Sequence, residues 1–338
     1  MKFVKINMLE KGEYIMSWMG WQIDYLLLLQ NFREITHGVF DQFFLFISQL
    51  AVMPFTVIMI CIIYWSINKR LGLYMIYCNS VSFLVNAFLK FTFCIYRPWI
   101  LDSRVHPVQG AFKTAPGYSF PSGHTAGAVS FWGALGMYFK NNKIILSLCA
   151  LIIFLVMLSR NYLGVHTSQD VIVSLIVGIG ILFLVQRIMK KTEAEKNFDI
   201  VFLLIMTFLC VVLALYLTFK SYPLDYVNGT LLYDNTTAKY KAVAEIFNVF
   251  AIFSGCFLEA KFIRFNPEDF SIIKRILIAV IGLILLFLID SHLYNILTAF
   301  MSHKTAGFVV RFIYGFFITF IYPCFIKGLS LLKEKCYK

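Results

Sequence analysis

Three polar clusters interrupt an otherwise apolar sequence between residues 90 and 170. The first is Lys90, followed after six residues by Arg97-Pro98. The second is Pro121-Ser122-Gly123-His124. The third is Ser159-Arg160, then His166, then Asp170. His166 and Asp170 are spaced i, i+4, so a helix beginning just before Ser168 stacks them on one face at its start. A carboxylate bonded to one ring nitrogen fixes the tautomer and leaves the other nitrogen free to attack, which makes an oriented nucleophile or base. Lys90, Arg97 and Arg160 fall at the ends of apolar runs, where an unpaired cation is expensive and wants an anion. Asp102 and Asp170 are the carboxylates nearby. Positive charge is therefore in surplus, and a phosphate group would neutralise it. Arg offers a planar fork to phosphate oxygens, and Lys a point charge.

Pro121-Ser122-Gly123-His124 opens an apolar run. Pro suits a helix start and Ser caps it. A helix N-terminus turns free N–H groups and a positive dipole end toward an anion, and Gly123 has no side chain to hold an oxygen away. Together the clusters supply a nucleophile (His166), its orienter (Asp170), a second histidine as proton donor (His124) and an anion cradle. That set fits phosphoryl transfer through a covalent phosphohistidine. No Asp/Glu cluster suits Mg²⁺, so the expectation is a reaction without metal or other cofactor, in which the cations stabilise the charge. Taken singly, each cluster also has a plainer reading: snorkelling cations, a helix cap, or a structural His–Asp pair.

The elements that must position these residues are membrane helices. Of 338 residues, 60% are hydrophobic and 14% charged, against about 25% charged in soluble chains. The apolar runs are near twenty residues and continuous, whereas barrel strands alternate over roughly ten. The expected fold class is all-α, a polytopic bundle of about nine spans: residues 43–67, 71–93, 122–140, 144–163, 168–188, 199–219, 242–262, 272–290 and 306–326. Residues 1–40 read as an interfacial amphipathic helix with Trp18 and Trp21 at headgroup level. Residues 41–190 would form the catalytic core, and 191–338 a C-terminal extension of about four spans.

The formal charge of +12 would suggest nucleic acid in a soluble protein. Here the Lys and Arg residues gather in short loops and act as topology signals. One side collects Lys69, Arg70, Lys140, Lys143, Arg187, Lys190, Lys191 and the basic tail from Lys327; the other collects all three clusters. The first side is then cytoplasmic and the clusters face the exterior, although Lys2, Lys5 and Lys11 pull the other way. Eight cysteines, among them Cys61, Cys210 and Cys336, include no Cys-x-x-Cys pair, so neither a disulfide framework nor a metal site is expected. Glu245, Glu259, Asp290 and His292 fall near predicted span ends and read as structural. Gly178 and Gly180 with Ser174 read as close-packing positions.

The motifs Lys-x6-Arg-Pro, Pro-Ser-Gly-His and Ser-Arg-x5-His-x3-Asp resemble, in order and at every position, the three signatures of the type 2 phosphatidic acid phosphatase superfamily. The resemblance covers roughly residues 40–190. It implies His166 as nucleophile oriented by Asp170, and His124 protonating the leaving group and later activating water. Lys90, Arg97, Ser122, Gly123 and Arg160 would hold the phosphate. It further implies metal-independent hydrolysis of phosphate monoesters or diphosphates, mostly of lipids in integral members: phosphatidate, phosphatidylglycerol phosphate, sphingoid phosphates or polyprenyl diphosphates. The N-terminal helix looks like that of bacterial undecaprenyl-diphosphate phosphatases. The length and number of spans look more like glucose-6-phosphatases and sphingosine-1-phosphate phosphatases, without a motif in residues 200–338. The expected partners are a lipid substrate and the bilayer, most simply the cell membrane, and not nucleic acid. A soluble sugar phosphate is the alternative substrate, and a non-catalytic phosphate or lipid carrier the alternative of another class.

Overall fold

The computed structural model describes residues 8–112, 114–227 and 230–328. Lys2, Lys5 and Cys336 lie outside them; the seven described cysteines are free thiols. The described chain is helical, apart from loops and one antiparallel pair of two-residue strands, Tyr226–Val227 and Thr230–Leu231, with Tyr226 opposite Leu231. The helices are α1 (Met8–Ile35), α2 (Asp41–Gln49), α3 (Phe55–Ile62, running on as the π-turn Ile63–Ile67) and α4 (Lys69–Phe93). Next come α5 (Gly123–Ala128, continuing through Val129–Gly133 and Ala134–Tyr138), α6 (Lys143–Tyr162) and α7 (Ser168–Ala194). The extension comprises α8 (Phe198–Phe219), α9 (Thr236–Leu258), α10 (Ile272–Thr298) and α11 (His303–Phe316, ending in the π-turn Phe317–Ile321). Asn68, Ser122, Asn142 and Ser302 cap α4, α5, α6 and α11 by accepting first-turn N–H bonds.

Among the described residues, seven helices are long and apolar enough to cross a membrane. The expected first span is interrupted: α2 stops at Gln49 and α3 restarts at Phe55, after Pro54. Pro has no N–H and cannot continue the ladder, so carbonyls are freed inside an apolar region and need partners. The Leu50 carbonyl accepts from Trp132 Nε1 at 2.9 Å, and the Ala51 carbonyl packs on α5 at Gly127, where a Cβ would stand 2.2 Å from it. The expected span at 122–140 is helical only over 123–138, shorter than the other spans. In the extension the helices outrun the expected spans, because α9 starts at Thr236 and α10 continues to Thr298. Glu245 and Asp290 consequently lie well inside their helices.

The core centres on α4. Trp65 and Met75 are wholly buried; Trp65 Nε1 donates to the Ile318 carbonyl at 2.9 Å, and Tyr74 donates to the Leu182 carbonyl at 3.0 Å. These bonds tie the extension and α7 to the same two elements. Small residues let backbones approach: a Cβ on Gly178 would stand 2.7 Å from Val129, and one on Gly72 2.4 Å from Tyr64 Cα. Gly180 meets nothing, so its expected packing role is not seen. Exposed apolar side chains cover the outside, including Leu204, Phe208 and Leu215 on α8 and Ile276, Ile284 and Phe287 on α10. So large an apolar exterior needs lipid against it: this is an integral membrane protein.

The ends of the bundle differ. At one end Lys69 pairs with buried Glu259 at 2.7 Å, and Arg70 with Glu193 at 2.8 Å; the three polar clusters gather at the other. Helix α1 exposes Trp21, Leu28 and Phe32, buries Ile23, Leu26 and Gln30 against the loop that follows α4, and buries Gln22 against the first turn of α7. Gly72→Ala should drive its methyl group into the Tyr64 backbone and cost about 1–3 kcal/mol. Thermal unfolding of the purified variant measures this, and an unchanged midpoint would show that the α3–α4 approach can relax.

Candidate active site

The segment between α4 and α5 carries Pro98, Pro107, Pro116 and Pro121 and is not one helix. Many of its carbonyls lack helical partners, and two cations take up five of them. Lys90 Nζ, near the end of α4, donates to the carbonyls of Tyr118 (2.9 Å), Ser119 (3.2 Å) and Pro121 (2.8 Å). Arg97 donates from Nε to Gly117 O (3.0 Å), from one terminal nitrogen to Pro116 O (3.0 Å), and from the other to Val165 O (2.9 Å). That last nitrogen also lies 2.9 Å from His166 Nε2. Lys90 and Arg97, expected to hold phosphate, here gather the loop by donating to its carbonyls.

His166 sits on the tight link between α6 and α7. Gly164 adopts φ +72°, and a Cβ there would stand 3.2 Å from Pro107 Cα, so the turn needs glycine. The His166 N–H donates to Arg160 O (3.3 Å), and its carbonyl accepts from Asn161 Nδ2 (2.9 Å). The ring is nearly inaccessible, with Nδ1 3.1 Å from Asp170 Oδ2. That oxygen also accepts from Thr167 N (2.9 Å) and from Ser119 Oγ (2.5 Å). With Asp170 ionised, Nδ1 carries the proton and Nε2 presents its lone pair, toward Arg97.

Helix α5 meets α7 end to end. Ser122 N donates to Asp170 O at 3.1 Å, and Ser174 Oγ to Ser122 O at 3.0 Å. Ser122 Oγ is spent on capping, accepting from Thr125 N. The Gly123 and His124 amides are first-turn donors left without helical acceptors, and open space lies over Gly123. His124 Nε2 is buried without a partner among the described residues. Arg160 is wholly buried: one terminal nitrogen donates to Ser48 Oγ at 2.5 Å, while Nε and the other terminal nitrogen have no partner among the described residues. Three cations against one carboxylate leave a surplus of two positive charges. Burial of a guanidinium with unmade hydrogen bonds is costly, and a dianion beside Arg160 would remove both penalties.

All eight predicted residues thus fall in one cluster. Residues that sequence spacing did not mark complete it: Ser119 on Asp170, Asn161 on the His166 carbonyl, Ser48 on Arg160, and Gln22. Gln22 reaches across from α1, and its Oε1 accepts the N–H of Gln169 in the first turn of α7 at 3.0 Å. Ser119 lay within the aromatic stretch flanking the second motif, but its partner is 51 residues away. Burial and the neighbouring Arg97, Arg160 and Lys90 charges hold the His166 imidazole neutral, with its pKa well below the ordinary histidine value.

Two family models match the chain: the PAP2 superfamily over residues 71–194, and the PAP2 superfamily phosphatase transmembrane extension over residues 248–335, where the sequence offered no motif. Among curated proteins, the undecaprenyl-diphosphatase BcrC of Bacillus subtilis (strain 168) is 30% identical over 157 residues, which are 45% of this chain and 76% of that protein. Phosphatidylglycerophosphatase B of the same organism is 28% identical over 134 residues, 37% of this chain and 62% of that protein. Lipid phosphate phosphatase delta of Arabidopsis thaliana is 25% identical over 176 residues, 49% of this chain and 42% of that protein. The chain therefore spans less than two thirds of the latter two. No solved structure matches it significantly.

His166 gives the stability a sign in pH. Above about 6.5 the ring is neutral both folded and unfolded. Below that value the unfolded chain takes up a proton that the folded ring refuses, so stability falls as pH falls. The unfolding midpoint should drop between pH 7.5 and 5, and His166→Asn should flatten part of that drop. Parallel curves for the two proteins would remove His166 as the cause.

Proposed function

This chain belongs to the PAP2 superfamily and is a membrane phosphatase of that kind, and on that premise we propose that it hydrolyses lipid phosphate monoesters or diphosphates through a phosphohistidine formed on His166. The observation that carries this reading is the buried Arg160, with unmade hydrogen bonds, beside an Asp170-oriented imidazole and a free helix N-terminus. The relatives, named as lipid phosphatases, support the lipid class.

The phosphate occupies the space bounded by Arg160, the Gly123 and His124 amides, and His166. Arg97 gives up its contact with Nε2 and turns that donor to a phosphate oxygen. The Nε2 lone pair attacks phosphorus; the bond to the leaving oxygen breaks, its electron pair stays on that oxygen, and His124 supplies the proton. A water then attacks the phosphohistidine while His124 takes its proton. The P–N bond breaks, its pair returns to Nε2, and inorganic phosphate leaves. Asp170 holds the ring throughout and offsets the charge the imidazole acquires. As Asp170 is the carboxylate bonded into the cluster, stabilisation falls to cations and amides rather than to a bound metal. The site faces away from the cytoplasm, because the opposite end carries the Lys- and Arg-rich loops. α1 lies in the interface with Trp21 outward.

Phosphate release by detergent-purified protein in EDTA should fall to background in His166→Ala. Arg160→Lys keeps the charge but loses the fork, and should lower kcat/KM by about 10²-fold. The acid limb of kcat/KM contributed by His166 should lie below about pH 6.5. Dependence on added Mg²⁺, or His166→Ala activity near that of the parent, would overturn the mechanism. Turnover of glucose 6-phosphate above every lipid would overturn the substrate class.

A further inference from the structure

A cavity of about 400 Å³ starts at Gly123 and His124 and runs into the bundle between the catalytic helices and the extension. That volume is within the range of small-ligand sites. Part of its wall is apolar, from Val57 and Ile60 on α3, Val249 and Ile252 on α9, and Ile318 after α11. The wall formed by α4 is different. Asn79, Ser82 and Asn86 line the cavity, and their spacing of three and four residues, continued by Lys90, places them on one face of the helix. Lys90 reaches the loop carbonyls at the foot of α5. The stripe therefore leads from the phosphate cluster to Asn79, about 16 Å along the helix.

Neither the Asn79 nor the Asn86 carboxamide has a partner among the described residues. Across the cavity on α9, by contrast, Glu245 pairs with Arg311 at 3.0 Å and accepts from Asn248 at 3.1 Å. An amide facing apolar surroundings without a hydrogen bond costs about 2–7 kcal/mol, and a hydrocarbon chain in the cavity would leave both amides in that condition.

We propose that this cavity binds the linkage region and upper chain of the lipid phosphate, and that Asn86, near the phosphate, and Asn79, deeper along the chain, recognise its hydrogen-bonding groups. The ester groups of a glycerolipid phosphate supply such groups, and so do the hydroxyl and amine of a sphingoid phosphate; a polyprenyl phosphate supplies none. The extension closes the cavity, so substrate choice is made jointly by α4 and by α9 and α11. The proposal rests on the phosphatase reading above.

The test uses full-length purified protein with four substrates: phosphatidate, sphingosine 1-phosphate, farnesyl phosphate and the soluble p-nitrophenyl phosphate. In the parent, kcat/KM for phosphatidate or for sphingosine 1-phosphate should exceed that for farnesyl phosphate by at least about tenfold, and the better of the two tells whether ester or amine and hydroxyl is read. Asn79→Leu and Asn86→Leu keep the volume and remove the hydrogen bonds. Each should shrink that ratio by about three- to tenfold, mostly through KM, as expected for one hydrogen bond. Ile252→Trp fills the cavity from the extension and should lower the ratio of lipid to p-nitrophenyl phosphate turnover. A parent ratio near one, ratios unchanged in both Asn variants, or an equal loss on all four substrates would overturn the proposal. Absence of His166-dependent release from every substrate is a separate result: it removes the phosphatase mechanism, and this inference falls with it.

Discussion

Three cations held inside the end of an apolar bundle set the terms for the structure around them. A buried charge must be matched by dipoles or by an opposite charge, and the protein uses both. Lys90 and Arg97 are matched by carbonyls that a proline-interrupted loop cannot use internally. Arg160 is matched only in part, by Ser48. The loop has its shape because the two satisfied cations gather it, while the third keeps donors without a partner among the described residues. Replacing either satisfied cation would free a set of carbonyls in a water-poor place, so Lys90 and Arg97 hold the loop in its shape.

The same economy explains the single carboxylate. Asp170 Oδ2 takes three donors, from Ser119, Thr167 and His166. One of these is the N-terminal amide that a helix start leaves open. The carboxylate therefore fixes the start of α7, the loop and the His166 ring at once. Gln22 holds the Gln169 amide in the first turn of α7, so α1 takes part in placing the start of that helix as well as covering the loop.

What could be read from the sequence follows from the range of the interactions involved. The motif residues were legible because their spacings of three to seven residues report local geometry, and the long apolar runs were legible because lipid demands a minimum length. Ser119, Ser48 and Gln22 were not, since each acts on a residue 51 to 147 positions away and a serine or glutamine in an apolar context carries no mark of its partner. The break at Pro54 was passed over because hydropathy continues across it; only the uses that α5 makes of the freed Leu50 and Ala51 carbonyls explain it. The starts of the later helices were set too far in, because polar first turns such as Thr236–Lys241 look like loop. That misplaced Glu245 near a span end, whereas it lies about 13 Å into α9 by helical rise.

This depth matters for how the two halves of the chain cooperate. A charged pair such as Glu245–Arg311 is costly inside a membrane unless its partners are fixed and it faces protein or water. Here Asn248 adds a bond to the carboxylate, and Gly315 lets α11 approach so closely that a Cβ there would stand 2.4 Å from Asn248 Oδ1. The pair thus clamps α9 to α11 at the level where both border the cavity. On the opposite wall, α4 is pinned by Tyr74 to α7, whose first turn carries Asp170. The cavity therefore lies between two braced walls, one built from the extension and the other continuous with the support of His166. Gly123 and His124, at the mouth between them, join the cavity to the polar cluster.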